Sequence, residues 1–222
     1  MKMTKNEFIK SIATNAKQVC SERGYGYAQY ATCIAQACCE SGYGKSSLMD
    51  KAKAYFGIKA TKAWLNKGGK IYNAKTKECY DGKTYTTITD SFRAYNSLAD
   101  SVRDYFDLLS GKRYAQSLKA STVKECITII KNGGYATSPT YIDTIMKFYN
   151  SDKALIDEIY YVTQTTQAKK SIEEVAREVI RGWYEENGVR KSWGNGAQRQ
   201  LLLQRDGYNY AEVQAMVNKL LK

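Results

Sequence analysis

The sequence predicts an α+β chain that is mostly helical, with one β-hairpin in its larger part and a small three-helix unit at its end. Three observations carry this. Apolar residues recur at three- and four-residue spacing over most of the chain. One β-branched stretch, 71–89, breaks that rhythm around an Asp-Gly pair. A polar, unpatterned run at 162–171 then separates residues 1–161 from 172–222. With 222 residues, 43% of them hydrophobic and 25% charged, the chain can bury a core, and its single proline suits helices.

Each element has its own signature. From residue 5 to about 24, Phe8, Ile9, Ile12, Ala16 and Val19 share a helical face. A second helix is expected over 28–40. Ala31, Ile34, Ala35 and Cys38 form one face, while Cys33, Gln36, Ala37 and Glu40 form the other. That second face is also small and mostly apolar, so the helix should be buried nearly all round before Ser41-Gly-Tyr-Gly44 stops it. Asp81-Gly82 sits between Lys75-Thr-Lys-Glu-Cys-Tyr80 and Thr84-Tyr-Thr-Thr-Ile-Thr89, which predicts a hairpin with a two-residue turn. Pairing Tyr80 with Lys83 would set Glu78 opposite Tyr85 on one face. Helical patterns resume at 98–109, 123–131, 140–150 and 152–160, and beyond the polar run at 172–181, 197–203 and 211–221.

Composition narrows the chemistry. Histidine is absent, which removes Ser-His-Asp and Cys-His nucleophiles and every His-ligated metal site. Cys20, Cys33, Cys38, Cys39, Cys79 and Cys126 form no Cys-x-x-Cys pair and read as small buried thiols, with a disulfide formed after release left open. The net charge of +12 favours polyanions, and it is uneven: 8 Lys/Arg face 7 Asp/Glu in 171–222, leaving 26 against 15 in the first 170 residues. No compact Lys/Arg run points to nucleic acid. The first residues show neither an apolar signal core nor a cleavage site, and no apolar run approaches the ~20 residues of a membrane span. A chain made in the cytoplasm without a signal peptide is the expectation.

Glu40 is the first carboxylate to single out. Burial and the negative end of its helix would both disfavour its charge, and a glutamate kept protonated near neutral pH can serve as a general acid. The alternative is a surface helix end paired with Lys45. The Gly-Tyr-Gly that follows suits a close approach of substrate to backbone. A glycosidase needs a second group. Glu78, Asp81 and Asp90 lie on or near the hairpin, and Glu78 is the best placed of them if the hairpin folds over a groove. It reads equally as an exposed strand residue among Lys75, Lys77 and Lys83.

Four segments carry a resemblance: Ala35-Gln-Ala-Cys-Cys-Glu-Ser-Gly-Tyr-Gly-Lys-Ser46, Tyr55-Phe-Gly-Ile-Lys59, Phe92-Arg-Ala-Tyr-Asn-Ser97 and Gly134-Tyr-Ala-Thr-Ser-Pro-Thr-Tyr141. In this order they resemble the glucosaminidase family of peptidoglycan hydrolases, glycoside hydrolase family 73. The resemblance implies a lysozyme-like catalytic domain over 1–161. It implies cleavage of the β-1,4 bond between N-acetylglucosamine and N-acetylmuramic acid, without metal or cofactor. It makes Glu40 the general acid and matches Glu78 to the second carboxylate, which either activates water or leaves attack to the substrate's 2-acetamido group. Tyr135 and Tyr141 would sit near the cleaved bond, with Phe56 and Tyr43 as further substrate contacts. Cys39, Ala60 and Ser138 depart from the family's usual residues without touching the acid. A muramidase, a lytic transglycosylase and an inactive wall-binding protein are the competing readings.

Trp193-Gly-Asn-Gly-Ala-Gln-Arg199, Asp206-Gly-Tyr-Asn-Tyr210 and Val213-Gln-Ala-Met-Val-Asn218 resemble the three-helix cell-wall-binding repeat of phage lysins of the Cpl-seven type, with 183–192 longer than usual. That resemblance makes Arg199, Tyr208, Tyr210 and Trp193 wall contacts. For the aromatics the other reading is that Tyr208 and Tyr210 fill the small core and Trp193 caps it. One copy gains avidity from its tether to a catalytic domain, or from dimerisation. Together the two resemblances imply a phage endolysin acting on bacterial peptidoglycan.

Overall fold

The computed structural model describes residues 3–79, 81–165, 170–186 and 189–221. They fall into two compact units, Met1–Val162 and Thr163–Lys222.

In the first unit, α1 (Lys5–Arg23) opens on a capping box between Thr4 and Glu7 and closes on Gly24 in the left-handed region. α2 (Tyr27–Ser41) is the axis of the core. Every residue from Ala28 to Cys38 is buried, so the all-round burial expected from its two apolar faces holds. It ends at Gly42, φ 56°, and the chain turns through Tyr43 and Gly44. A Cβ on Gly44 would meet the Phe8 ring at 2.8 Å, so this glycine lets the turn close on α1. At Gly44 the close approach is therefore to Phe8, while a Cβ on Gly42 would meet nothing within 4 Å.

Two short helices follow, α3 (Ser47–Ala52) and α4 (Lys62–Asn66), each started by a Ser or Thr cap. The segment around them lies along the hairpin: Arg93 N donates to Ile58 O and Ala60 N to Ser91 O, each at 2.8 Å. The hairpin is β1 (Lys70–Glu78) with β2 (Thr86–Ala94), antiparallel. Its register is one residue from the expected one, because Glu78 pairs with Thr86. The connection is longer than a two-residue turn for a local reason. Asp81 Oδ1 accepts from the backbone N–H of Lys83 at 2.8 Å and Thr84 at 2.7 Å. Cys79 N leaves the ladder to donate to Thr137 Oγ1 at 3.1 Å. The expected Tyr80–Lys83 pair includes Tyr80, which lies outside the described residues. Tyr85 instead has its hydroxyl 3.1 Å from Ser138 Oγ.

α5 (Leu98–Ser110), a 3-10 turn at Ala115–Lys119, α6 (Val123–Asn132) and α7 (Tyr141–Thr165) complete the unit. Their apolar faces, led by Tyr105, Phe106, Leu109, Ile127, Ile130 and Ile145, close on α1 and α2. The two helices expected over 140–160 are one. Asp152, at the expected break, accepts from the Tyr43 hydroxyl and pairs with Lys5, so a buried carboxylate continues the helix instead of capping a new one. α7 also runs into the polar stretch read as a linker; residues 166–169 lie outside the described ones. The six thiols are free, five of them buried.

The second unit holds α8 (Ile172–Arg181), α9 (Gly196–Arg205) and α10 (Tyr210–Leu220) around Val175, Val179, Trp193, Leu203, Val213 and Val217. A short hairpin, β3 (Tyr184–Glu186) with β4 (Val189–Lys191), occupies the longer segment before Trp193. It was not anticipated. Its sequence signal is Asn187-Gly188, a pair that favours two-residue hairpin turns.

Candidate active site

Glu40 sits one residue before the end of α2, part-buried. Its Oε1 accepts from the Tyr141 hydroxyl at 2.7 Å. No ion pair joins it to Lys45 or to any other cation among the described residues. Burial pushes its carboxyl up to about 7, and the Tyr141 bond offsets only part of that rise. Tyr141 and Tyr135 are held well above the ordinary phenol range, first by burial and then by the nearby Glu40 charge, so both stay protonated donors. Their rings stack at 6.2 Å, and the Tyr135 hydroxyl donates to Phe56 O at 2.8 Å.

Glu78 is only 6% exposed at the end of β1. Lys59 Nζ pairs with its Oε1 at 2.6 Å, and Thr137 Oγ1 donates to its Oε2 at 2.8 Å. The same Lys59 reaches Asp90 Oδ2 at 3.0 Å, so a single ammonium serves two carboxylates. Glu78 is therefore not the exposed residue among lysines that strand alternation allowed. Asp81, with Oδ1 committed to its own turn, organises the loop.

One segment links the two glutamates. Thr137 holds Glu78 and Tyr141 holds Glu40, four residues apart around Pro139. This junction is what the Gly134–Tyr141 stretch builds, and it depends on Lys59 being brought to the hairpin by its bridge to Phe92.

Two expected substrate contacts are placed elsewhere. Phe56 is 1% exposed, with its ring stacked on Tyr105 at 4.3 Å, so its carbonyl serves the site and its ring serves the core. Tyr43 spends its hydroxyl on Asp152 at 2.8 Å and packs its ring against Phe8 and Phe148. A buried aromatic beside a motif looks the same in sequence as one that lines a site. Gln36 and Tyr105, the residues behind Tyr141, were missed as site residues. The only available signal for Gln36 was a polar side chain on a helix face expected to be buried.

In the second unit, Trp193 is 4% exposed, stacks on Tyr184 at 4.5 Å and donates its Nε1 to Glu178 Oε2 at 3.1 Å. Tyr208 is buried against it, edge to face. Both are core residues, as the packing alternative held, and not a surface for the wall. Tyr210 is part-buried against the same core. Arg199 donates Nε to Gly194 O at 3.0 Å and stays part-exposed.

A helical core with a two-stranded lobe and one part-buried carboxyl at a helix end is the architecture of a lysozyme-like domain. The chain belongs to the glucosaminidase family, described as mannosyl-glycoprotein endo-beta-N-acetylglucosaminidase, which its residues 14–154 match; residues 173–221 match the CW_7 repeat. It is similar to a peptidoglycan hydrolase from Sphingomonas sp. A1, a mutant of which was solved as a crystal structure. The likeness there is a TM-score of 0.60 at 28% identity over 70% of this chain and 99% of that one. It is also similar to the catalytic domain of the autolysin Auto of Listeria monocytogenes, with a TM-score of 0.54 at 28% identity over 71% of this chain and 89% of that one. Among curated proteins it is 30% identical over 105 residues to the peptidoglycan hydrolase FlgJ of Salmonella typhimurium (strain LT2), covering 47% of this chain and 32% of FlgJ. The chain thus spans about a third of the length of the FlgJ proteins it matches.

Proposed function

We propose that the chain is a peptidoglycan hydrolase that cleaves the β-1,4 bond between N-acetylglucosamine and N-acetylmuramic acid, with Glu40 as general acid. The observation that carries this is a carboxyl raised to about 7, with no cation paired to it among the described residues, accepting from a buried tyrosine. Such a group keeps a large protonated fraction at neutral pH and can release that proton to a leaving oxygen. Family membership and the peptidoglycan hydrolases it resembles support the substrate class.

Glu40 gives its proton to the glycosidic oxygen as the bond to C1 breaks, and positive charge gathers on the sugar ring. Glu78 takes the second role. Lys59 and Thr137 fix its direction, and a carboxylate retains lone pairs beyond those two bonds for a water or for the developing charge. The surplus of basic residues before position 171 draws this part toward anionic wall polymers, an attraction that salt weakens. The CW_7 repeat adds wall affinity through its tether. The pairing of a glucosaminidase domain with this repeat supports a lysin that a phage makes in the host cytoplasm.

Mass spectrometry of fragments released from purified walls tests the reading. New N-acetylglucosamine reducing ends are expected. Muramic acid ends or anhydro-products would replace it with a muramidase or a lytic transglycosylase, and binding without clearing would make it an inactive wall-binder.

A further inference from the structure

Gln36 lies about one helical turn before Glu40 on α2 and is 0% exposed. Its Nε2 donates to the Tyr141 hydroxyl at 2.8 Å, and its Oε1 accepts from the Tyr105 hydroxyl. An amide nitrogen can only donate and an amide oxygen can only accept. With Nε2 toward Tyr141, the phenol must spend a lone pair there. Its one proton is then available to Glu40 Oε1, 2.7 Å away. A reversed amide would make Tyr141 donate to Gln36 and strip Glu40 of its donor. The buried Tyr105 hydroxyl opposes that reversal, because its proton would face an NH2 group.

We infer that Gln36, oriented by Tyr105, is a positioning residue that decides which oxygen of Glu40 carries the acid proton. Oε1 is kept as the acceptor of the Tyr141 bond, and the proton resides on Oε2. That oxygen faces Gly57, where an added Cβ would meet it at 3.6 Å. The inference rests on Glu40 being the general acid. In the transfer step the Oε2–H bond breaks and its proton joins the glycosidic oxygen. The C1–O bonding pair leaves with that sugar, and water supplies the hydroxyl to C1 and returns a proton to the site. The carboxylate left on Glu40 meets a tyrosine donor already in place, so no phenol has to turn during the reaction.

The test is the pH dependence of wall clearing, from about pH 5 to 9 at fixed ionic strength. The variants are Tyr141→Phe, Gln36→Met, Tyr105→Phe and the Gln36→Met/Tyr141→Phe double, with near-UV circular dichroism as the fold control. A general acid works while protonated, so the rate falls as pH rises through its pKa. Tyr141→Phe removes a bond that favours the carboxylate, which moves this alkaline limb up by about one pH unit. Gln36→Met moves it the same way by about half as much. In the double variant it adds nothing to Tyr141→Phe, because Gln36 acts through that phenol. Tyr105→Phe shifts the limb in the same direction and carries the test alone if Gln36→Met does not fold. An unmoved limb in a folded Gln36→Met or Tyr105→Phe overturns the inference, as does a Gln36→Met shift that adds to that of Tyr141→Phe. Glu40→Gln separates the two layers. If it still lyses walls, the general-acid reading falls; if it is dead while the limbs stay put, only the role of Gln36 falls.

Discussion

Glu40 and Glu78 are two part-buried or buried carboxylates made by opposite means. Glu40 lies near the end of a helix packed on all sides and is given a phenol but, among the described residues, no cation, so its charge is disfavoured. Glu78 ends a strand and is given Lys59 and a hydroxyl, so its charge is compensated. The helix supplies burial because both of its faces are apolar. The hairpin supplies a cation because the segment around Phe56–Lys59 lies along β2. One fold thereby gives one carboxyl a buried phenol and the other an ammonium, and unlike surroundings are how acid and base roles are divided between like side chains.

Removing the neutral acid is expected to have the largest effect. Glu40→Gln keeps the shape and the Tyr141 bond but has no proton to give, and clearing of purified walls should fall on the order of a thousandfold while the fold and wall binding persist. Near-normal clearing would erase the contrast between the two carboxylates. Glu78→Gln comes next, with a rate loss beyond about tenfold, or ~1.4 kcal/mol in the barrier. A smaller loss would assign the second role to Asp90, which shares Lys59, or to the substrate itself.

Stability gives a subtler view of the same contrast. The Glu40 carboxyl is raised from 4.5 to about 7, so the folded state holds its proton more tightly than the unfolded chain does. Stability should decline as pH rises from the unfolded value to the folded one, and the cost should be fully present above it. Glu40→Gln removes that cost. Chemical denaturation should find the variant more stable than the wild type at pH 8 by roughly 1–3 kcal/mol, and nearly equal at pH 4. A wild type as stable as the variant at both pH values would mean that Glu40 is better solvated than its contacts imply. The smallest effect concerns the second unit. Deleting 163–222 should slow clearing at low enzyme concentration and leave it almost unchanged at high concentration, as lost avidity requires. Equal loss at both would give the segment a part in folding or catalysis.

Much of this was legible in sequence, for reasons that differ by element. α1, α2, α5 and α8 follow their apolar periodicity closely, because burial fixes their faces. The hairpin was legible as a hairpin, but its register depends on side-chain bonds from Asp81 and Thr137 that periodicity does not encode. α3, α4 and the 3-10 turn are too short to show a period. Asn150-Ser-Asp152 reads as a helix break, yet Tyr43 and Lys5 satisfy Asp152 from the other side of the core. Glu40 was visible through its helix end and its motif. The contacts around it were not, since Lys59 and Thr137 reach Glu78, and Tyr105 reaches Gln36, only through the tertiary fold.

The cysteines have a practical consequence. Burial pushes Cys20 and Cys39 up to about 12 and Cys126 up to about 11, and carries Cys33 and Cys38 upward as well. A thiol reacts with oxidants and disulfides as its thiolate, and at neutral pH these hold almost none. Exposure to air should therefore leave these five thiols of the core unpaired. Reagents that label exposed thiols should leave it nearly blank, and purified protein should keep through storage in air without added reductant.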